Sequence, residues 1–429
     1  MLGRLYPLYY LSSHQKQSPE LYGLPKIHKT GVPLRPVVCS TNSVTSRLCT
    51  YLTSILRPYT GKKSSYVKNS KEFCNEIRHF HISSSEILVS YDVKDLFTSI
   101  PITRTLDILE TLLVTDVNLT HRTNLSPFHI LKLVSFSMKE GNYFRFQEEF
   151  FQQNNGAPMG SPLSPIFAEI FMEHLEEAFN NKIAPTNPRL FKRYVDDIFA
   201  IVEVGKEELL LEHLNCLFPN CISFTIEKET RGRLPFLDAL VIRSKNRLKT
   251  TVYRKPTHSD RYLHFSSHHP RSVFTGIIRG MVDRALSMCD AEFLEGELRY
   301  INRTLFSNGY PNNLVSSVIR RMTNTPTVSR QKEYGPVMVL PYYTGIGELF
   351  KRLRKTLGFT VYFKTSCSLR TFLRNDKIKV PADKRPGVVY KITCGCNASY
   401  IGRNGQHFIT QVQPAFGRTQ SLQASRDQT

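Results

Sequence analysis

The chain has 429 residues, 41% hydrophobic and 22% charged, which is too apolar for a disordered chain and long enough for about three domains. Lysine and arginine number 57 against 36 aspartate and glutamate, a net charge of +21. That excess calls for a polyanionic partner, with nucleic acid ahead of an anionic membrane surface. No segment approaches the roughly 18–20 apolar residues that span a bilayer, which excludes an integral membrane protein.

The opening residues Met1–Tyr6 lack the apolar core of a signal peptide. Nine scattered cysteines argue against a disulfide framework and for a reducing compartment. Residues 1–60 are rich in turns and basic groups, and Pro25, Pro33 and Pro36 argue against helix there. The run Ile87-Leu88-Val89-Ser90-Tyr91 reads as a buried strand with Asp92 at its tip. A Gly/Pro/Ser loop opens residues 151–182 and leads into a helix. Ile166, Phe167, Ile170, Phe171 and Leu175 keep its spacing, with Ser164 placed as cap and Pro165 at the first position. Residues 191–203 read as two short strands joined by an acidic turn.

Three helical stripes follow, a small bundle over 270–322. Val273, Phe274, Ile277, Ile278, Met281 and Ala285 form the first. Leu294, Leu298, Ile301 and Leu305 form the second, and Leu314, Val315, Val318 and Ile319, after the Ser307-Asn308-Gly309 turn, form the third. Residues 323–345 read as a linker, 346–386 are basic again, and the polar stretch 414–429 is expected to be disordered.

The adjacent acids of Tyr194-Val195-Asp196-Asp197 stand in an apolar surround, which is costly without a cation. Side chains alternate along a strand, so the two point to opposite faces unless a turn lies between them. One then aims at a metal while its neighbour supports it. If the strand ending at Asp92 neighbours this hairpin, Asp92 and Asp196 jointly hold two divalent cations. Magnesium prefers carboxylate oxygens with substrate phosphates completing its shell. Two such ions about 4 Å apart stabilise the attacking and leaving oxygens of phosphoryl transfer. Alone, an Asp-Asp pair is more often a solvated turn; the remaining motifs decide the weighting.

Those motifs are Tyr22-Gly23-Leu24-Pro25-Lys26-Ile27-His28-Lys29, Pro33-Leu34-Arg35-Pro36-Val37-Val38 and Ser90-Tyr91-Asp92-Val93-Lys94-Asp95-Leu96-Phe97. Then come Gly156-Ala157-Pro158-Met159-Gly160-Ser161-Pro162-Leu163-Ser164-Pro165, Arg193-Tyr194-Val195-Asp196-Asp197, Leu234-Pro235-Phe236-Leu237-Asp238 and Tyr253-Arg254-Lys255-Pro256-Thr257-His258. In this order and spacing the chain resembles the reverse transcriptases of Penelope-like retroelements, relatives of telomerase. The resemblance runs over nearly the whole chain.

It implies an α+β right-hand polymerase with partial fingers, a palm and a helical thumb, followed by a basic connector and a partial GIY-YIG α/β domain. The fingers would occupy 1–85, the palm 86–250 and a helix-turn-helix-like thumb 251–322. Linker and connector would occupy 323–380 and the nuclease remnant 381–429. The implied reaction is RNA-templated DNA synthesis, in which a primer 3′-hydroxyl attacks an incoming nucleotide. Asp92 and Asp196 would be ligands to two Mg2+ ions, with Mn2+ as an alternative. The Val93 carbonyl would join them, and Asp197 would be the supporting acid. Lys26 and Arg35 would cover the triphosphate. Phe97 would lie under the sugar and exclude a 2′-hydroxyl, and Gly160 would let backbone approach the nucleotide. Phe236 and Leu237 read as core or strand anchors.

Tyr194 would stand near the primer end, and Tyr253, Arg254 and Lys255 would follow the primer–template backbone. His258, His264, His268 and His269 read as polar contacts with phosphate rather than a metal site. Arg271, Arg279, Arg284, Arg320 and Arg321 would give the thumb a basic face. The expected partners are an RNA template, a DNA primer or target and deoxynucleoside triphosphates, with no membrane. The resemblance places the protein in the nucleus, where Lys351-Arg352-Leu353-Arg354-Lys355 would serve as an import signal or as a solvated helix face. Two rivals stay open: a nucleic-acid-binding remnant without turnover, and a polymerase that makes RNA.

Gly387-Val388-Val389-Tyr390 and Tyr400-Ile401-Gly402 resemble the start of a GIY-YIG endonuclease. Tyr390 and Tyr400 match its tyrosines, and Cys394 and Cys396 match the pair that opens a zinc site in Penelope-type nucleases. Gln411 stands where that family has its arginine, no glutamate follows Glu348, and His407 alone remains downstream for the zinc site. Nuclease activity is therefore expected to be absent, and a small β-hairpin is expected here. The few residues before Tyr22 and the missing nuclease residues are expected to reflect a truncated transposon copy or a gene model cut at both ends.

Overall fold

The computed structural model describes residues 18–27, 31–147, 149–181, 187–324, 335–364, 389–393 and 399–403. They form two compact units that divide between Glu333 and Tyr334.

The first unit opens with the antiparallel strands β1 (Glu20–Pro25) and β2 (Leu34–Cys39). Pro36 is tolerated in β2 because that strand lies at a sheet edge. Beyond the last of the early prolines the chain coils into α1 (Ser46–Leu56), burying Cys49, Leu52, Ile55 and Leu56 on one stripe. This helix departs from the expectation that prolines exclude helix over residues 1–60. Proline breaks only the helix it stands in, and none lies between 37 and 57. In α2 (Ser70–Ile77) the Asn69 side chain caps the first turn, accepting from the Glu72 amide at 2.9 Å. Then come β3 (Glu86–Val93), α3 (Leu96–Ser99), α4 (Ile102–Thr115), α5 (Leu119–Arg122) and α6 (Pro127–Ser135). The hairpin β4 (Tyr143–Phe146) and β5 (Glu149–Gln152) joins β1 to complete a sheet ordered β2-β1-β4-β5.

The expected 151–182 helix is α7 (Ser164–Asn181). Ser164 lies within it, and its hydroxyl turns back to donate to the Pro158 carbonyl at 2.8 Å instead of capping the helix. After α7 come β6 (Leu190–Tyr194), β7 (Asp197–Glu203), α8 (Glu207–Asn215) and β8 (Phe224–Lys228). They build an antiparallel sheet ordered β6-β7-β3-β8. Strand alternation divides this sheet between two cores. Val89, Tyr91, Val93, Ile198, Ala200 and Val202 face the larger core, which α4, α6 and α7 complete. Leu88, Phe199 and Ile201 face a second core containing Phe73 and Ile77 of α2. A three-stranded sheet of β9 (Arg233–Phe236), β10 (Ala239–Ser244) and β11 (Arg247–Val252) closes that side. The rings of Phe73, Phe199 and Phe236 interlock there with centroids 4.7 to 5.4 Å apart.

The three helical stripes form α9 (Arg271–Met288), α10 (Ala291–Ser307) and α11 (Asn312–Asn324). Phe274, Ile278, Val282, Ala285, Ile301, Leu305, Val315 and Val318 are buried between them, with Tyr310 from the turn. Val273 is exposed, and Val282, one turn after Ile278, continues the stripe instead.

In the second unit β12 (Val337–Pro341) and β13 (Thr360–Lys364) run parallel, joined by the crossover helix α12 (Ile346–Leu357). The apolar run Val337-Met338-Val339-Leu340 is thus a strand where a linker was expected. Lys351, Arg352 and Arg354 lie on α12. The expected hairpin is β14 (Val389–Thr393) with β15 (Ser399–Arg403), and Tyr390 opposes Gly402 while Tyr400 opposes Ile392. Cys394, Cys396, His407, Gln411 and the tail 414–429 lie outside the described residues, as do 325–334 of the linker. Among the described residues no helix is long and apolar enough to cross a membrane.

Candidate active site

Two residues, Val195 and Asp196, join β6 to β7. A two-residue hairpin loop needs positive φ at its first position. Val195 supplies it at +55°, which is strained for a β-branched residue. Register sets Tyr194 opposite Asp197 across the turn, and Asp92 opposite Asp197 across the β3–β7 pair. Opposed residues of an antiparallel pair share a face. Asp92 and Asp197 therefore stand together on the face that bears Leu88 and Phe199, at the end of the sheet, while Asp196 sits at the hairpin tip. The expected neighbouring of the two strands is present, with Asp197 rather than Asp196 as the direct cross-strand partner of Asp92.

Asp92 is exposed, and Asp196 and Asp197 are partly buried. Burial raises the Asp196 pKa; a bond to its own backbone opposes this, the Asp92 charge adds to it, and Arg35 and Arg193 lower it. Asp197 is pushed up to about 7, first by burial and then by the charges of Asp196 and Asp92, with Lys255 opposing. Three carboxylates thus repel one another across a small space.

Among the described residues no group of three His, Cys, Asp or Glu side chains converges tightly enough to cage an ion alone. Magnesium does not require such a cage, because it takes one or two carboxylates and fills its octahedron with water and substrate phosphates. The repulsion that adds to burial in raising Asp196 and Asp197 is what a divalent cation relieves. The donor set therefore fits Mg2+ or Mn2+.

Arg35 of β2 acts electrostatically on Asp196 from the other sheet. Lys26 donates to Asp95 Oδ1 at 3.0 Å, three residues beyond Asp92. Phe97 is half-buried against the larger core, and its carbonyl accepts from the Ala157 amide at 2.6 Å. Gly156 makes that approach possible: at φ +69°, a Cβ there would stand 2.3 Å from the Phe97 oxygen. Gly160, at φ +115°, lies equally close to Val38, where a Cβ would meet its oxygen at 2.3 Å. The loop is bonded to β2 by the Val38 amide on the Met159 carbonyl and by Ser40 Oγ on the Gly160 carbonyl, both at 2.7 Å. Val93 is buried, paired with Phe224 of β8.

Tyr194 is exposed and lines a cavity of about 310 Å³ with Asn69, Ser70, Leu237 and Asp238. A second, of about 400 Å³, is lined by Tyr253, Lys255, Asp238, His258 and Arg284, among others. Leu237 walls both and packs half-buried against the second core, in which Phe236 is buried. Lys255 extends electrostatically to Asp197. Arg254 also borders the larger cavity, yet its guanidinium donates to Glu297 Oε2 at 2.9 Å and lies 3.9 Å over the Tyr300 ring. It joins the end of β11 to α10. Arg284 pairs with Asp238 at 3.0 Å, whereas Arg271, Arg279, Arg320 and Arg321 are exposed. His258 lies 3.2 Å from Asp260, and His264 Nδ1 2.7 Å from Ser266 Oγ. Tyr390 and Tyr400 belong to the second unit.

Sequence reasoning assigned no role to Glu169, Glu173 and Glu176 of α7, or to Arg193 itself. All four are buried beneath the hairpin. The available signal was the spacing of three acids along one apolar helix and an arginine two residues before a catalytic turn.

The antiparallel sheet with acids at the β3 end and at the β6–β7 turn, backed by helices and followed by a helical bundle, is the palm and thumb of a right-hand polymerase. Residues 27–227 match the family model described as reverse transcriptase (RNA-dependent DNA polymerase), and residues 261–320 match the animal helix-turn-helix domain. The first match contains all three acids, and the second coincides with most of α9–α11. Among solved structures the chain is similar to telomerase from Candida albicans, in complex with a fragment of telomeric RNA. The TM-score is 0.48 at 12% identity, covering 72% of this chain and 56% of that one. For telomerase from Candida tropicalis the values are 0.43, 13%, 72% and 55%, and for a Sicinivirus RNA-dependent RNA polymerase 0.44, 10%, 71% and 69%. The chain spans a little over half the length of these telomerases. No curated protein matches it by sequence.

Proposed function

We propose that the protein is an RNA-directed DNA polymerase of a Penelope-like retroelement. The observation that carries this reading is the register of Asp92 against Asp197 with Asp196 at the adjoining turn, within residues 27–227. The Penelope-like assignment rests on the order of the motif blocks from Tyr22 to His258. A nuclear location follows from that assignment.

Asp92 and Asp196 would hold two Mg2+ ions, with the Val93 carbonyl beside them and Asp197 in support. When bound, the ions neutralise phosphate charge and favour ionisation of the primer hydroxyl. The residues of the chain do the rest by positioning. Arg35, already facing Asp196, receives the triphosphate, joined by Lys26. Phe97 sets the depth of the sugar site and disfavours a 2′-hydroxyl. Tyr194 and Lys255 border the space where the primer end would lie, and Tyr253 continues along the cavity beside α9. The substrates are an RNA template, a DNA primer or target and deoxynucleoside triphosphates. The likeness of 387–402 to a GIY-YIG start supports a nuclease-related origin for those residues, and no cleavage is assigned to them.

The test is extension of a DNA primer on an RNA template by the purified chain with Mg2+ or Mn2+. Templated extension with deoxynucleotides, lost in Asp92→Asn, is expected. No extension in either metal would leave the nucleic-acid-binding remnant, and a preference for ribonucleotides would leave the RNA-making polymerase.

A further inference from the structure

We infer that Arg193 is the positioning residue of the catalytic hairpin, a guanidinium clamped by α7 that holds the Val195 carbonyl and so fixes where Asp196 and Asp197 stand. The inference rests on the polymerase reading above and adds to it the part that orients the acids.

Arg193 heads the largest fully buried side chains of the described residues. Its Nη1 and Nη2 grip the two oxygens of Glu169 at 3.1 and 2.9 Å, and its Nε donates to Glu176. The same Nη1 donates to the Val195 carbonyl at 2.9 Å. One rigid planar group thus joins helix to hairpin tip. Around it, Ser65 Oγ donates to Glu176, the Arg193 amide donates to the Ser65 carbonyl at 2.7 Å, and the Val67 amide donates to the Arg193 carbonyl at 2.8 Å. Glu173, one turn along α7, accepts from the Gly61 amide at 2.6 Å. Burial opposes the arginine charge, but Glu176 and Glu169 outweigh it, so the clamp stays ionised.

Stability does not require such a cluster. A buried ion triad is commonly matched or surpassed by apolar residues of similar volume. What apolar residues cannot do is hold a carbonyl. The carbonyl held here belongs to the strained residue of the loop, whose left-handed backbone directs Asp196. A lysine would supply one point charge without the fork that spans Glu169 and Val195.

The decisive variant replaces the whole cluster, Glu169→Leu with Arg193→Met and Glu176→Leu, and Arg193→Lys serves as the second. Thermal unfolding, primer-extension kcat and KM, and amide hydrogen exchange across residues 191–199 are measured on each. The apolar triple variant is expected to unfold cooperatively near the wild-type temperature. Its KM for primer–template should hold, its kcat should fall on the order of 100-fold, the effect of a misplacement near 1 Å, and exchange at Asp196 and Asp197 should speed up. Arg193→Lys, which keeps the buried charge, should lose kcat in the same way, so the inference is tested even if the triple variant does not fold. A folded variant with kcat within threefold of wild type and unchanged hairpin exchange overturns the clamp. If the wild type extends no primer, the polymerase reading falls, and the exchange comparison still decides whether Arg193 holds the turn.

Discussion

Replacing Asp196 with asparagine should stabilise the metal-free protein while abolishing catalysis. Asp197 is pushed from 3.8 to about 7, which at about 1.4 kcal/mol per unit is a cost of roughly 4 kcal/mol for ionising it in the fold. Burial is the largest cause and survives the substitution; the Asp196 charge is next and does not. A gain of about 1–2 kcal/mol at pH 8 in EDTA follows, read as a rise of about 2–5 °C in melting temperature. The sign depends on pH. A carboxyl with a raised folded pKa binds more protons folded than unfolded, so its ionisation costs stability as pH rises from 3.8 through about 7. The advantage of Asp196→Asn should therefore be full at pH 8 and gone by pH 4. Added Mg2+ should raise the wild-type melting temperature more than that of the variant, because only the wild type keeps the full carboxylate set. A variant less stable than wild type in EDTA at pH 8 would refute the reasoning, since the acids would then not be repelling one another.

Gly156→Ala places a Cβ against the Phe97 carbonyl in a left-handed conformation; the conformation alone should cost about 1–2 kcal/mol, seen in urea unfolding, and displacement of α3 should raise the KM for deoxynucleotides. Phe97→Ala should increase ribonucleotide incorporation relative to deoxynucleotide on the order of 10-fold or more, measured in paired single-nucleotide extensions; an unchanged ratio would remove Phe97 from sugar selection. The Glu173 pKa is raised above 4.5, chiefly by burial, so its ionisation costs stability as pH climbs past that value. Glu173→Gln should accordingly gain on wild type between pH 4.5 and 7 in thermal unfolding, and a constant difference across that range would contradict the burial argument.

The elements that carry the site were legible because their signals are local. A continuous run of apolar, β-branched and aromatic residues marked β3, two acids between apolar runs marked the β6–β7 turn, and 3.6-residue spacing marked α7 and the three thumb helices. What escaped depends on partners distant in sequence. Glu169, Glu173 and Glu176 follow the spacing of a solvated helix face, and only Arg193, 24 residues from Glu169, makes that face interior. Arg254 between Tyr253 and Lys255 reads as part of a basic patch, until Glu297, 43 residues on, takes its guanidinium. Which acid opposes Asp92 is a matter of register, and the position of a two-residue turn decides it. In α1 the helical spacing of Cys49, Leu52, Ile55 and Leu56 outweighs the early prolines, whose reach ends at Pro36.

The bonds between β2 and the Met159–Gly160 loop bear on how a nucleotide gets in. Val38 and Ser40 staple that loop to the strand bearing Arg35, so under the polymerase proposal two sides of the nucleotide space are tied together. On the remaining side Lys26 is latched to Asp95, whose side chain is 49% exposed. The Lys26 side chain is 16% exposed, so the pair lies between a fully exposed one, worth about 0–1 kcal/mol, and a buried one. Under the polymerase proposal a triphosphate, carrying more negative charge than one carboxylate, would compete with Asp95 for Lys26.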